Sequence, residues 1–370
     1  MVWADSSSSI EGADAAPALR LLADGHRGIA YGEAMDEHLT HTPMSSCRIC
    51  HNTAAHPTFC AKEMQFGTRA MFEYFRCASC GCLQIDEIPS DLARYYPENY
   101  YSFHPAERRT LHGRAYRELQ KVRVANRLVW KHSVLESLFW RFVELPYEWQ
   151  QCTPYLPADP GRGMRTSFLD VGCGERSWWL EALEELGFGS LTGVDPFMRG
   201  DHRRGRVSYR RCGIAEVGGR YDFISFHHSL EHIPEQHATL RAARALLNDQ
   251  GTCLVRVPVV PSYLWDKYGV CWMGLDAPRH LYLHTRESMR IAAERAGFVV
   301  ERVFFDMDEV TLIASEQYLK DIPMFGERSY FSSPADSEIT PAQAAALRSL
   351  AARLNAEERA DCAAFVLKPA

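Results

Sequence analysis

The chain has 370 residues, 46% of them apolar and 24% charged, with a formal net charge of −6. That length suggests two domains, one of them small, in an ordinary globular protein. The acidic balance argues against nucleic acid as the main partner, and no apolar run reaches the roughly 18–20 residues of a membrane span. No basic-then-apolar export signal stands at the N-terminus, so the expected location is the cytoplasm. Twelve cysteines then read as metal ligands and buried thiols rather than disulfides.

Residues 1–42 are rich in Ser, Ala, Gly and Asp and read as a disordered arm, with a candidate short helix at 16–23. Residues 43–90 carry two C-x-x-C pairs, Cys47/Cys50 and Cys77/Cys80, the second followed by Gly81. Each pair can place both sulfurs on one turn facing a tetrahedral ion, which is a zinc-ribbon pattern. Phe72–Arg76 alternates like a strand leading into the second pair. Four thiolates would close the shell, so the expected Zn2+ is structural. Cys60, Cys82, His51 and His56 are spare ligand candidates.

Residues 91–160 read as a helical connector and cap. Tyr95–Phe103 reads as an aromatic linker packed between domains or as an aromatic wall of the substrate pocket, and Glu107–Trp149 has helical periodicity with a basic first half. Such a helix is most simply a solvated face; contact with an anionic membrane surface or a polyanionic substrate stays open. Pro154, Pro157, Pro160 and Gly161 mark a boundary.

The segment 161–370 begins with the most informative stretch. Ser167–Val171 is an apolar run ending with Asp170 inside it, followed by Gly172-Cys173-Gly174 and a helical pattern from Ser177. Strand, glycine turn and helix in that order bring backbone close to a ligand. A second strand ends at Asp195-Pro196, placed where an acid accepts ribose hydroxyls. The dinucleotide pattern G-x-G-x-x-G is broken by Glu175 and Arg176, and an acid beside the turn suits a cationic ligand better than a pyrophosphate. Further strands are expected at 206–212, 221–226, 252–258, 298–305 and 362–367, with helices at 236–248, 287–296 and 336–357. Strands alternating with helices imply a parallel sheet with ligands at the strand ends.

Leu169–Gly174 resembles motif I of the class I S-adenosylmethionine (SAM) methyltransferases, and Tyr221–Glu235, with its Glu231-His232-Ile233-Pro234, resembles that superfamily's fourth strand and following segment. Pro278-Arg279-His280-Leu281 resembles a segment of bacterial zinc-ribbon-bearing SAM methyltransferases linked to polysaccharide or natural-product biosynthesis. The resemblance implies an α/β, Rossmann-like seven-stranded class I methyltransferase sheet, with a small N-terminal zinc-ribbon module, a helical cap and an insertion at about 313–357. It also implies that the last strand lies antiparallel beside the fifth.

By the same resemblance, Gly172 and Gly174 approach the methionine part of SAM and Asp170 orients their turn. Asp195 and Pro196 meet the ribose, Cys212 and Gly213 flank the adenine, and His227 lines the methionine side. Many members have a glycine at the place of Arg176, which puts the carboxylate end of the site in question. The implied reaction is methyl transfer to O, N or C of a small or carrier-linked acceptor such as a sugar. His227, His228, His232, His280 and His284 are candidate bases, because histidine titrates where a base must; His232 and His280 lead, with His228 beside them. His228-x-x-Glu231-His232 also resembles the metal-binding E-x-x-E-H of quinone-biosynthesis O-methyltransferases, with histidine replacing the first acid, so a second divalent ion stays open. Two other readings are carried: an RNA methyltransferase with a zinc module, and a non-catalytic binding protein whose Arg176 blocks the cofactor. The oligomeric state is not readable.

Overall fold

The computed structural model describes residues 46–97, 118, 153–156 and 163–370. The N-terminal arm and nearly all of the basic helix and aromatic connector lie outside these residues.

Two sheets make the framework. The smaller has strands β1 (Thr58–Lys62), β2 (Met71–Arg76) and β3 (Leu83–Ile85) paired antiparallel in that order. The larger begins with β4 (Ser167–Val171), followed through the glycine turn by helix α1 (Trp178–Leu186). Ser177 caps that helix by accepting the Leu180 N–H, and Gly187, at φ +108°, ends it in the left-handed conformation that glycine tolerates. Then come β5 (Ser190–Val194), β6 (His202–Arg204), β7 (Val207–Arg210), β8 (Tyr221–His227), α2 (Gln236–Leu246) and β9 (Leu247–Pro258).

After α3 (Tyr263–Tyr268) the chain crosses back to the small sheet. Its fourth strand, β10 (Tyr282–Leu283), pairs antiparallel with β3. The sheet expected to be a local module of residues 43–90 is therefore completed from far along the chain. Helix α4 (Arg286–Arg295) and strand β11 (Phe298–Phe305) lead to α5 (Glu309–Tyr318) and α6 (Pro341–Ala356), and β12 (Cys362–Pro369) ends the chain.

The large sheet has the order β11-β12-β9-β8-β4-β5-β7-β6. Among the described residues it has eight strands, not the expected seven, because residues 202–204 fold back antiparallel on β7 as an extra edge. β9, β8, β4, β5 and β7 are parallel, whereas β12 inserts antiparallel between β9 and β11, as expected. Apolar side chains on the two faces form two cores. One packs α1 against β4, β5 and β7, with Trp179, Phe168 and Tyr209 fully enclosed. The other joins α2, α4, α5 and α6 to the small sheet, so Cys47, Ile49 and Tyr74 share one core with Ile224, Val255 and Met289. Among the described residues, no helix is long and apolar enough to cross a membrane.

Candidate active site and metal centre

At the C-terminal end of β4 the chain turns through Gly172 (φ +73°) and Gly174 (φ +63°). The first glycine is obligatory for a second reason: a Cβ there would stand 2.4 Å from the Ser229 Cβ. Asp170 is buried beneath the turn and accepts from Ser177 Oγ at 2.6 Å and Ser225 Oγ at 2.8 Å. Burial pushes its carboxyl up to about 6, against the pull of those two hydroxyls. Asp170 thus braces the turn from below. Asp195, at the end of β5, accepts the Gly174 N–H on Oδ2 at 3.0 Å and the Phe197 N–H on Oδ1 at 2.8 Å. Each oxygen keeps a lone pair for a further donor.

Arg176 does not stand free at the turn. Its guanidinium is held by Glu181 on α1, with N–O distances of 2.5 and 2.7 Å, and its side chain is only 14% exposed. The structure thus gives Arg176 a partner within the protein, on the helix that follows the turn. Pro196 follows Asp195, and its carbonyl accepts from Arg211 Nε at 3.5 Å. Across the crevice floor, Cys212 is buried, while a Cβ added at Gly213 would meet nothing within 4 Å. His227 ends β8 beside Trp178 and Trp179, at ring separations of 5.5 and 4.7 Å. Both of its ring nitrogens are buried without a hydrogen-bond partner, and burial holds its pKa well down. An orphaned imidazole, a turn of two left-handed glycines and an acid with free lone pairs fit a polar, cationic cofactor such as SAM.

Just beyond β8, the turn residues 228–232 place Glu231 fully inside the protein. One donor atom each from Glu231, His232 and His280 lies within a common 4.8 Å. The His232 and His280 rings cross at 4.8 Å between centroids. His232 donates from Nδ1 to the Arg279 carbonyl at 2.8 Å, with Tyr96 Oη 3.1 Å from the same nitrogen. His280 donates from Nδ1 to the Gly274 carbonyl at 2.8 Å. A carbonyl can only accept, so both rings keep the Nε2 lone pair. Burial first, and then the neighbouring His280, lower His232 to about 4, which leaves it neutral at pH 7. Burial pushes Glu231 the other way, but the pull of His228, His232 and His280 outweighs it and holds the carboxyl at about 2.

His228 sits at the edge of this cluster in the left-handed conformation (φ +51°), with Nδ1 3.3 Å from Glu231 and Nε2 3.7 Å from Cys362 Sγ. His284 belongs elsewhere. It is fully buried, bonded through Nδ1 to Ser288 Oγ at 2.9 Å and through Nε2 to Gln236 Oε1 at 2.8 Å. With both nitrogens engaged it has no lone pair for a substrate, and as a candidate base it is withdrawn.

The four paired cysteines come together. Cys47, Cys50, Cys77 and Cys80 offer sulfurs within 4.8 Å of one another, with Cys47–Cys80 at 3.6 Å and Cys50–Cys77 at 3.5 Å. A tetrahedron with metal–sulfur bonds of about 2.3 Å has edges of roughly 3.8 Å, so the cage has the size zinc requires. Backbone N–H groups of Ile49 and Cys50 point at Cys47 Sγ, both at 3.4 Å, and Gln84 Nε2 donates to it at 3.0 Å. The Ser79 N–H does the same for Cys77 at 3.4 Å. Donors aimed at sulfur stabilise thiolates. Cys82 is buried outside the cage, and Cys60 lies on β1. His56 Nδ1 instead accepts the Ala78 N–H at 3.1 Å.

A buried ion pair links the two centres. Arg279, with no exposed surface, donates to Glu63 at 2.9 Å, to Asp276 at 2.6 Å and to the Tyr95 carbonyl at 3.0 Å. Tyr74 on β2 donates to the His280 carbonyl at 2.9 Å, and Thr285 Oγ1 to the Cys80 carbonyl at 2.7 Å. Glu63 and Asp276 are the participants that sequence reasoning did not select, whereas Tyr96, beside His232, belongs to the aromatic segment read as a linker or a pocket wall. Nothing in a lone acid on a loop announces a buried partner more than two hundred residues away.

With this geometry in hand, residues 139–303 match the family model described as a methyltransferase domain, a span that includes the glycine turn, Asp195 and the Glu231–His232–His280 cluster. No curated protein matches the chain. Solved structures with a similar fold include the cyclopropane synthase MmaA2 from Mycobacterium tuberculosis, at 17% identity, TM-score 0.34, over 55% of this chain and 77% of that one. A SAM-dependent methyltransferase from Mesorhizobium loti is similar at 16% identity and TM-score 0.37, over 60% and 96% of the two chains. The mitomycin 7-O-methyltransferase MmcR is similar at 10% identity and TM-score 0.35, over 56% and 50%.

Proposed function

We propose that this chain is a cytoplasmic SAM-dependent methyltransferase acting on a small or carrier-linked acceptor, such as a sugar or natural-product intermediate, with a structural zinc on Cys47, Cys50, Cys77 and Cys80. The observation that carries the reading is the crevice at the ends of β4, β5 and β8. There the glycine turn, Asp195 and the unpartnered His227 face the place a cofactor takes in this fold. SAM, when bound, supplies an electrophilic methyl group on a sulfonium.

The protein's own part is positional and protonic. Asp195 holds the ribose hydroxyls, and Gly172 and Gly174 let backbone approach the methionine portion. The cluster beyond β8 receives the acceptor and relieves it of its proton, with His232 and His280 presenting Nε2 and His228 at the rim. Four thiolates leave no coordination position for water, so the zinc takes no part in the chemistry.

Calorimetric titration of SAM and S-adenosylhomocysteine into zinc-loaded protein tests this. Micromolar binding is expected, weakened about a hundredfold by Asp195→Ala through loss of charge-assisted hydrogen bonds. Absence of binding by the folded wild type would sink the enzyme reading.

A further inference from the structure

The Glu231 carboxylate presents an unsolved physical problem. It is 0% exposed, and neither oxygen has a hydrogen-bond partner. The nearest donor, His228 Nδ1, is 3.3 Å from Oε1 yet makes no hydrogen bond with it, and His280 Nε2 is 4.0 Å from the same oxygen. A buried carboxylate in that condition is strongly destabilising unless a cation sits against it. Among the described residues, Glu63, Asp276 and Glu231 bring three negative charges to this part of the core, and Arg279, already bonded to the first two, brings the one fixed positive charge. Among those residues the balance is a deficit of two positive charges.

The two rings beside Glu231 are arranged for that role. In each, Nδ1–H is fixed on a backbone carbonyl, of Arg279 for His232 and of Gly274 for His280. This is the outer-shell arrangement that sets the tautomer and aim of a metal-binding imidazole, leaving Nε2 as the ligand atom. We infer that Glu231, His232 and His280 bind a first-row divalent transition-metal ion, separate from the four-thiolate centre. Two imidazoles and one carboxylate suit zinc, iron(II), cobalt(II) or manganese(II), and three protein ligands leave coordination positions open. The ligand set is not a linear motif. His280 comes from the segment entering β10, which is laid on the turn after β8 by the Leu281 N–H to Glu231 carbonyl bond at 2.8 Å.

Ion binding does not rest on the methyl-transfer reading. Its consequence does: an ion would occupy the Nε2 lone pairs of His232 and His280, so the acceptor hydroxyl would be acidified by coordination and its proton would pass to solvent or to His228 at the rim, in place of direct transfer to His232 or His280. That narrows the acceptor class to molecules offering an oxygen ligand.

The test uses full-length protein with zinc already on its thiolates and cobalt(II) as the probe. One cobalt per chain is expected, with visible ligand-field absorption but no sulfur-to-metal charge transfer. Glu231→Gln and His280→Gln should each weaken it at least tenfold, with the melting temperature and S-adenosylhomocysteine affinity retained as evidence of an intact fold. X-ray absorption of the wild-type cobalt form, which needs no variant, should show nitrogen and oxygen neighbours including imidazole. No uptake by wild-type protein, a sulfur-only shell, or equal binding by folded variants would overturn the assignment, whatever the outcome of the cofactor titration.

Discussion

The two sheets solve the same problem with different means. The eight-stranded sheet has enough area to enclose Phe168, Phe223, Leu254 and their neighbours between two layers, and apolar burial at about 25 cal/mol per Å2 suffices to hold it. The small sheet has three short local strands and one borrowed strand of two residues. It cannot enclose a core alone, and it relies on four thiols at its end and on the face it shares with the larger domain. A weak element can lean on a neighbouring core for what its own side chains lack, and its four clustered thiols are where an ion would add to that.

The sharpest way to break this contrast is Cys80→Ser. Structural zinc on four thiolates contributes on the order of 10 kcal/mol or more to a small domain. Hydrogen exchange should show protection lost in β1, β2, β3 and β10 while β4, β5 and β8 keep theirs. Equal loss in both sheets would mean that they unfold as one unit.

Next is the seam. Glu63→Ala leaves Arg279 short of a partner in a fully buried position and removes the acceptor of the Phe66 and Thr68 N–H groups. A cost of about 3–5 kcal/mol is expected by chemical denaturation. A change below about 1 kcal/mol would show that the seam does not join the sheets.

The larger sheet should respond to pH through Asp170. Burial holds its folded pKa up at about 6, above the usual 3.8 of a solvated aspartate. The folded state therefore binds the proton more tightly, and this contribution to stability is complete below pH 4 and lost as pH rises from about 4 to 6. The difference is about 3 kcal/mol at 1.36 kcal/mol per unit. Asp170→Asn should flatten that part of the stability–pH curve relative to wild type; an unchanged slope would contradict it.

The smallest expected effect concerns the two thiol turns. Gly81 follows the second pair at φ +72°, while the residue after the first pair, His51, adopts φ +64° with a side chain. His51→Gly should stabilise the small sheet by about 1 kcal/mol, read as slower exchange in β1 and β2.

Much of the fold was legible because its signals are local. The glycine turn, the acid ending β5 and the two C-x-x-C pairs are short patterns whose meaning lies in backbone conformation or ligand geometry within a few residues. Arg176 shows the limit of that reading. Its position in the motif put the carboxylate end of the site in question, and spacing alone did not show that Glu181 on α1 pairs with its guanidinium. His284 shows the same from the other side, since its chemistry depends on Gln236 and Ser288 rather than on its neighbours in the segment.

The sequence by itself determined the α/β class, through strand and helix periodicity, and the two C-x-x-C turns whose sulfurs meet in the fold, because these patterns are local; the family resemblance, not the spacing, implied the antiparallel last strand. Only the tertiary structure decided that β10 completes the small sheet, that residues 202–204 add an eighth strand, and that Glu231, His232 and His280 meet. Those outcomes depend on burial and on contacts between distant segments, where the favoured partner is selected by the shape and charge of the whole core.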